Sequence, residues 1–145
     1  MTALPAALLL SALLGASAVA QTPADGKARG LTLELNSLST PESGGCRLTY
    51  VTENHLGRDL TELAWQVAVF DRNGVVSAIL GLDFGTLPDG RTRVAAFDLT
   101  GQPCDQIARI VVNDVLRCTV QGTPDDPACL DGLMLRNLTP VRFGL

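Results

Sequence analysis

The chain has one histidine, one tryptophan and one tyrosine, and aromatic residues fill only 4% of its 145 positions. A single imidazole excludes sites built from several histidines, and no close thiol pair takes their place. The four cysteines, Cys46, Cys104, Cys118 and Cys129, lie far apart in sequence. Zinc sites want paired thiolates or imidazoles at short spacing. A redox dithiol wants Cys-x-x-Cys beside a helix end that lowers the thiol pKa. Neither pattern occurs. There is no run of basic residues, and the net charge of −4 argues against nucleic acid and against anionic membrane surfaces. No Gly-x-Ser-x-Gly elbow offers a nucleophile. No internal repeat, low-complexity tract or sustained helical period is present.

What is present begins at the N-terminus. Residues 1–20 form an apolar stretch ending Ala18-Val19-Ala20, the small-x-small triplet that a signal peptidase accepts. Leu4 to Leu14 reads as the apolar centre of a signal peptide. The n-region Met1-Thr2-Ala3 carries no Lys or Arg, so an upstream start codon is one reading of it. Pro5 and Gly15 interrupt the apolar run, which falls short of the about 20 residues a membrane span needs. The expectation is a signal peptide over 1–20, a flexible tether over 21–30, and a single domain over 31–145 with no membrane span after cleavage. All four cysteines follow the signal, so two disulfides in an oxidising compartment are expected, with the protein periplasmic or secreted.

From Leu31 the dominant period is two, the mark of half-buried strands. Leu31, Leu33 and Leu35 alternate with polar residues, as do Cys46, Leu48 and Tyr50. Leu63, Trp65, Val67 and Val69 face one way on a third strand. Asp71-Arg72-Asn73-Gly74 then gives a hairpin signal, since Asn and Gly both tolerate positive φ. Val76 to Phe84, Arg91 to Leu99 and Ile107 to Val112 supply three more strands. Asn113-Asp114 reads either as a tight turn or as a bulge in a strand that continues to Cys118. Gln121 to Ala128 is a loop, and Leu130 to Leu138 a last strand that Val141 to Leu145 extends, within a loop-rich part over 119–145. Short strands at regular spacing with turn signals between them predict an all-β, immunoglobulin-like antiparallel β-sandwich of about seven strands.

Consecutive antiparallel strands would bring Cys46 and Cys104 to one end of such a sandwich and leave Cys118 and Cys129 to close the intervening loop. Four cysteines allow three connectivities; topology favours Cys46–Cys104 with Cys118–Cys129. His55 could act as a general base beside Glu53 or Asp59, but Ser37, Ser39, Ser43 and Ser77 lack a nucleophile's context. His55 therefore reads as a loop residue. Asp71, Asn73 and Gly74 lack the further oxygen ligands of a calcium loop. Asp125, Asp126 and Asp131 read as a solvated acidic loop rather than a cation site. Trp65 is expected in the core beside Tyr50 and Leu48 rather than as a ligand-stacking surface. Arg91 and Arg93 suit the protection of a strand edge better than anion binding. No catalytic, cofactor-binding or metal-binding residue is assigned.

The stretch from Arg47 to Leu99 contains Leu48-Thr-Tyr-Val-Thr-Glu-Asn54, Gly57, Leu60, Val67 to Phe70, Asp71-x-x-Gly74, Leu87-Pro-x-Gly90 and Phe97. This resembles the FxLYD-type immunoglobulin-like domain of bacterial envelope proteins, with Leu-Pro-Asp-Gly in place of the usual Leu-x-Pro-Gly. The mature chain is also similar to a group of exported proteins from alphaproteobacteria. The resemblance implies a sandwich fold and an envelope location, and it brings no catalytic residue. Its implied role is a non-catalytic accessory module binding another envelope protein. A periplasmic inhibitor or small-ligand carrier, using the Gln121–Ala128 loop or the Glu53–Asp59 turn, is the alternative.

Overall fold

Alternation is read out directly in the long strands of a computed structural model that describes residues 29–145. The expected signal peptide and nearly all of the tether lie outside the described residues. The strands are β1 (Gly30–Ser39), β2 (Cys46–His55), β3 (Leu60–Asp71), β4 (Val76–Asp83), β5 (Thr92–Leu99), β6 (Ile107–Val120), β7 (Met134–Asn137) and β8 (Arg142–Gly144). They form two four-stranded sheets, ordered β5-β2-β1-β7 and β4-β3-β6-β8. In β2 the buried residues are Cys46, Leu48, Tyr50, Thr52 and Asn54, every second position. β3 lies between β4 and β6 and buries small Ala64 and Ala68 on its outer face as well as Trp65, Val67 and Val69 on its inner one. A chain of edge-on rings crosses the core: Trp65 to Phe84 at 5.6 Å, Phe84 to Phe97 at 5.6 Å, Phe97 to Tyr50 at 6.1 Å and Tyr50 to Phe143 at 5.9 Å. Such tilted pairs align ring edges with ring faces, which favours them beyond the area they bury.

The all-β sandwich is the observed architecture, with eight strands rather than seven. Two pairings are parallel: β1 with β7 and β6 with β8. The segment expected as one closing strand is split, because Gly132, at φ +74°, turns the chain before β7 begins. After β7 the chain crosses through Pro140 to the other sheet, so Arg142–Gly144 pairs with β6 instead of extending β7. Asn113 and Leu116 fall at register shifts between β6 and β3, so Asn113-Asp114 lies in a bulged strand, not a turn. β1 starts at Gly30, inside the expected tether.

The Asp71–Gly74 hairpin forms by a different route from the one its sequence suggests. Only Gly74 has positive φ, at +79°. Gly74 N donates to Asp71 O at 3.1 Å and Asp71 N to Val75 O at 2.9 Å, a tight turn closed by a left-handed glycine. The Asp71 carboxylate accepts from Val75 N at 2.9 Å and Asn73 N at 2.8 Å. Those backbone donors, Val75 first, hold its pKa below the usual value. The turn accounts for Asp71, Asn73 and Gly74 without an ion.

Cys46 is joined to Cys104 and Cys118 to Cys129. The first bridge fastens the start of β2 to the 3-10 turn (Cys104–Gln106) where the chain crosses from β5 to β6. The second fastens β6 to the 3-10 turn (Pro127–Cys129) of the following loop.

Tyr50 is fully buried, and its hydroxyl has no hydrogen-bond partner. Burial raises its pKa well above the ordinary phenol value. The folded state therefore keeps Tyr50 neutral where the unfolded chain ionises, so stability is intact below about pH 10 and falls as pH rises beyond it. The expected loss is about 1.4 kcal/mol per pH unit above about pH 10. Tyr50 is the only tyrosine, so phenolate absorbance should appear only with unfolding. Tyr50→Phe should abolish that alkaline loss and raise stability at neutral pH by about 1 kcal/mol, since it removes an unsatisfied buried hydroxyl. A phenolate signal that titrates near pH 10 in the folded protein would refute the assignment.

Candidate functional site

Three loops meet at the end of the sandwich where β2, β4 and β6 finish: 56–59, 84–91 and 121–133. Asn54, last of the inward positions of β2, is wholly buried and uses both donors and the acceptor of its amide. Its Nδ2 donates to Arg58 O and to Leu87 O, both at 2.9 Å, and its Oδ1 accepts from Leu56 N at 2.9 Å. Its backbone also joins the 84–91 loop, donating to Arg91 O at 3.0 Å and accepting from Gly90 N at 2.8 Å. A buried amide is tolerated only when satisfied in this way, so Asn54 fixes two loops at once.

The third loop is tied to the same unit. Gly57 N donates to Asp89 Oδ1 at 2.8 Å, and Asp89 N to Asp59 Oδ1 at 2.8 Å. Gln121 N donates to Asp59 O at 2.9 Å. Arg58 Nη1 reaches Asp126 Oδ2 at 3.1 Å, while Asp126 Oδ1 caps Ala128 N at 2.9 Å. Trp65 Nε1 donates to Cys129 O at 2.9 Å, linking the disulfide loop to the core. Gln121 and Asp125 are the two non-glycine residues with positive φ among the described residues, at +47° and +55°. Left-handed backbone at such residues is unfavourable and persists where surrounding bonds hold it.

Between this loop and β6 lies a depression of about 290 Å³, lined by Val115, Cys118, Pro127, Leu130, Asp114, Asp125, Asp126 and Asp131. Leu130 is 44% exposed. Its walls are apolar and its rim carries carboxylates, one of which, Asp126, is already engaged by Arg58. Among the described residues no group of three or more His, Cys, Asp or Glu side chains is placed to hold a metal ion.

The other candidates sit elsewhere or are otherwise occupied. His55 Nε2 lies 3.5 Å from Glu53 Oε2, and Arg136 reaches the same carboxylate at 3.7 Å. Ser77 Oγ donates to Val69 O at 3.2 Å, and among the described residues no hydrogen bond joins His55 to a serine. Trp65 is fully buried in the same core as Tyr50 and Leu48, its ring edge-on to Phe84. Arg91 and Arg93 are exposed at the start of β5, a sheet edge. The hub Asn54 carried a readable signal: it continues the inward parity of Leu48, Tyr50 and Thr52.

No protein-family model and no curated protein matches this chain. Among solved structures it is similar to one described as the structural characterization of IrmA from Escherichia coli. The identity is 12%, the TM-score 0.56, and the match covers 78% of this chain and 96% of that one. At that identity the likeness is one of fold. The FxLYD-type resemblance rests on the turn motifs quoted for it.

Proposed function

We propose that this chain is an exported, non-catalytic accessory domain that binds another protein of the bacterial envelope through its braced loop end. The observation that carries this reading is the set of three loops locked together around the depression at Leu130. A surface fixed in advance loses little entropy on binding, and function concentrates on loops held by a rigid scaffold. Two disulfides fit an oxidising compartment, and the apolar segment 1–20 fits a signal that is removed, with 21–29 as tether and the remainder, from the start of β1 at Gly30, as one domain. No helix among the described residues is long and apolar enough to cross a membrane. The carboxylates of Asp125 and Asp131 beside exposed Leu130 suit a partner presenting an apolar side chain flanked by Lys or Arg.

The test is capture from envelope extract at low salt, comparing the unaltered chain with Leu130→Arg and Asp131→Arg. A partner retained by the unaltered chain should bind at least about tenfold more weakly to Leu130→Arg, the expected size for a central contact. It should also dissociate with added salt. Capture that ignores both substitutions removes the loop end from consideration. Recovery of the chain with free thiols from cytosol removes the compartment.

A further inference from the structure

Opposite the braced loops, at the end of the sandwich where β1 and β3 finish and β6 and β8 begin, a second cavity opens. Its volume is about 470 Å³, larger than the depression at Leu130 and within the roughly 300–1,000 Å³ of small-ligand sites. The walls are apolar: Leu38 from β1, Ile107 and Ala108 from β6, and Pro140 and Val141 from the crossing between β7 and β8. Two charged side chains join them, Arg72 from the β3–β4 hairpin and Asp105 from the first 3-10 turn. Both are exposed. Among the described residues neither belongs to an ion pair, with the other or with any third residue.

The walls are fixed by bonds of their own. The Cys46–Cys104 bridge anchors the 3-10 turn, and Gln106 N donates to Pro103 O at 3.0 Å within it. At the β7–β8 crossing, Asn137 Nδ2 donates to Val141 O at 2.6 Å and Asn137 Oδ1 accepts from Thr139 N at 3.0 Å. Leu138 N donates to Leu35 O at 3.0 Å, which ties that crossing to β1. Ala108 is the extra residue of a bulge, since Phe70 pairs with Arg109 and Asp71 with Ile107. Bulges re-aim side chains and recur beside functional sites. A cavity formed in advance demands little ordering when a ligand enters.

We infer that this cavity binds a short apolar zwitterion, an amino acid or dipeptide with both termini free. Its carboxylate meets Arg72, its ammonium meets Asp105, and its side chains lie on the apolar walls. The planar guanidinium fork matches a carboxylate, and each contact is a charge-assisted hydrogen bond. An anion without an ammonium group leaves Asp105 unpaired beside it, and an amine without a carboxylate does the same to Arg72. Opposite charges on one small ligand are therefore what this pair of side chains selects.

The test is a nuclear magnetic resonance titration of the isotope-labelled full chain, both disulfides intact, with leucine and with leucyl-leucine. At least one probe should bind with a dissociation constant on the order of 0.1 mM and shift the amides of Asp105, Ala108 and Val141. The tighter probe identifies whether an amino acid or a peptide is the occupant. Acetylating its amino group or amidating its carboxylate should each weaken it about tenfold. Arg72→Gln should weaken the unblocked probe about tenfold and remove the penalty of amidation while keeping that of acetylation. Asp105→Asn should do the reverse. Both side chains are exposed, so the fold should tolerate either change, and circular dichroism checks it. Arg93→Gln, on the β5 edge, should leave binding unchanged. Failure of both probes to shift these amides at about 10 mM overturns the inference. So do shifts confined to the 121–133 loop, binding indifferent to either blocking group or either cavity substitution, or a loss in Arg93→Gln equal to that in Arg72→Gln.

Discussion

Replacing Cys46 and Cys104 together by alanine should cost about 4 kcal/mol of stability, and replacing Cys118 and Cys129 about 3 kcal/mol, from the loop entropy each bridge removes from the unfolded chain. The order follows from the separations of 58 and 11 residues. Against about 6–17 kcal/mol for a domain of this size, either loss is large. The two bridges should also differ in kind. The long one spans β2 to the β5–β6 crossing, so its removal loosens the unfolded ensemble over half the domain and should raise the urea m-value more. The short one holds the carbonyl that accepts from Trp65 Nε1. Its removal should free the 121–133 loop and shift the fluorescence of the only tryptophan to the red before global unfolding. Urea titrations of both double variants, followed by fluorescence and by circular dichroism, check each part. Equal losses, or a larger one for Cys118 and Cys129, would contradict the assignment.

Local pattern carried the strands that face a single core, because a period of two is imposed by the pleat itself. It carried the parity of β2 and the inner face of β3, where each residue's neighbours in sequence suffice to define the face. What it could not carry was pairing order. Nothing near Val76–Leu82 marks β4 as an edge rather than a central strand, since that depends on where β6 and β8 fall. The C-terminal segment is the clearest case. Parallel partners need no hairpin turn, so no turn signal announces that β7 joins β1 while β8 joins β6. Leu130 and Leu138 suggested one strand because apolar spacing continues across Asp131-Gly132, yet the left-handed glycine breaks it. The loop end was legible in part. Pro, Gly and Asp located the loops, but the ties among them join residues thirty or more positions apart, such as Asp59 with Asp89 and Arg58 with Asp126.

Asn54 concentrates those ties, and its substitution should have the other large effect. Asn54→Ala takes the side-chain partner from Leu56 N and Arg58 O and leaves Leu87 O with Leu60 N alone, and should cost about 3 kcal/mol. Asn54→Asp keeps the size and the acceptor but sets a carboxylate oxygen against the two carbonyls that now receive the amide. That charge is buried without compensation, so the expected cost at pH 7 is about 4 kcal/mol. The pH dependence separates charge from shape. A buried carboxyl facing carbonyls has a folded pKa raised above its unfolded value of about 3.9. The neutral acid can donate one of the lost bonds, so the variant is least impaired below that pH and loses stability as pH rises through the raised folded value. Urea unfolding at pH 4 and pH 7 should therefore show Asn54→Asp nearing the unaltered protein at the lower pH, while Asn54→Ala keeps the same deficit at both. Should Asn54→Asp fall within 1 kcal/mol of the unaltered chain at pH 7, the amide is not what holds the loops. In that case the rigidity of the loop end would have to come from the Asp59–Asp89 and Arg58–Asp126 contacts, which lie nearer to solvent and are weaker for it.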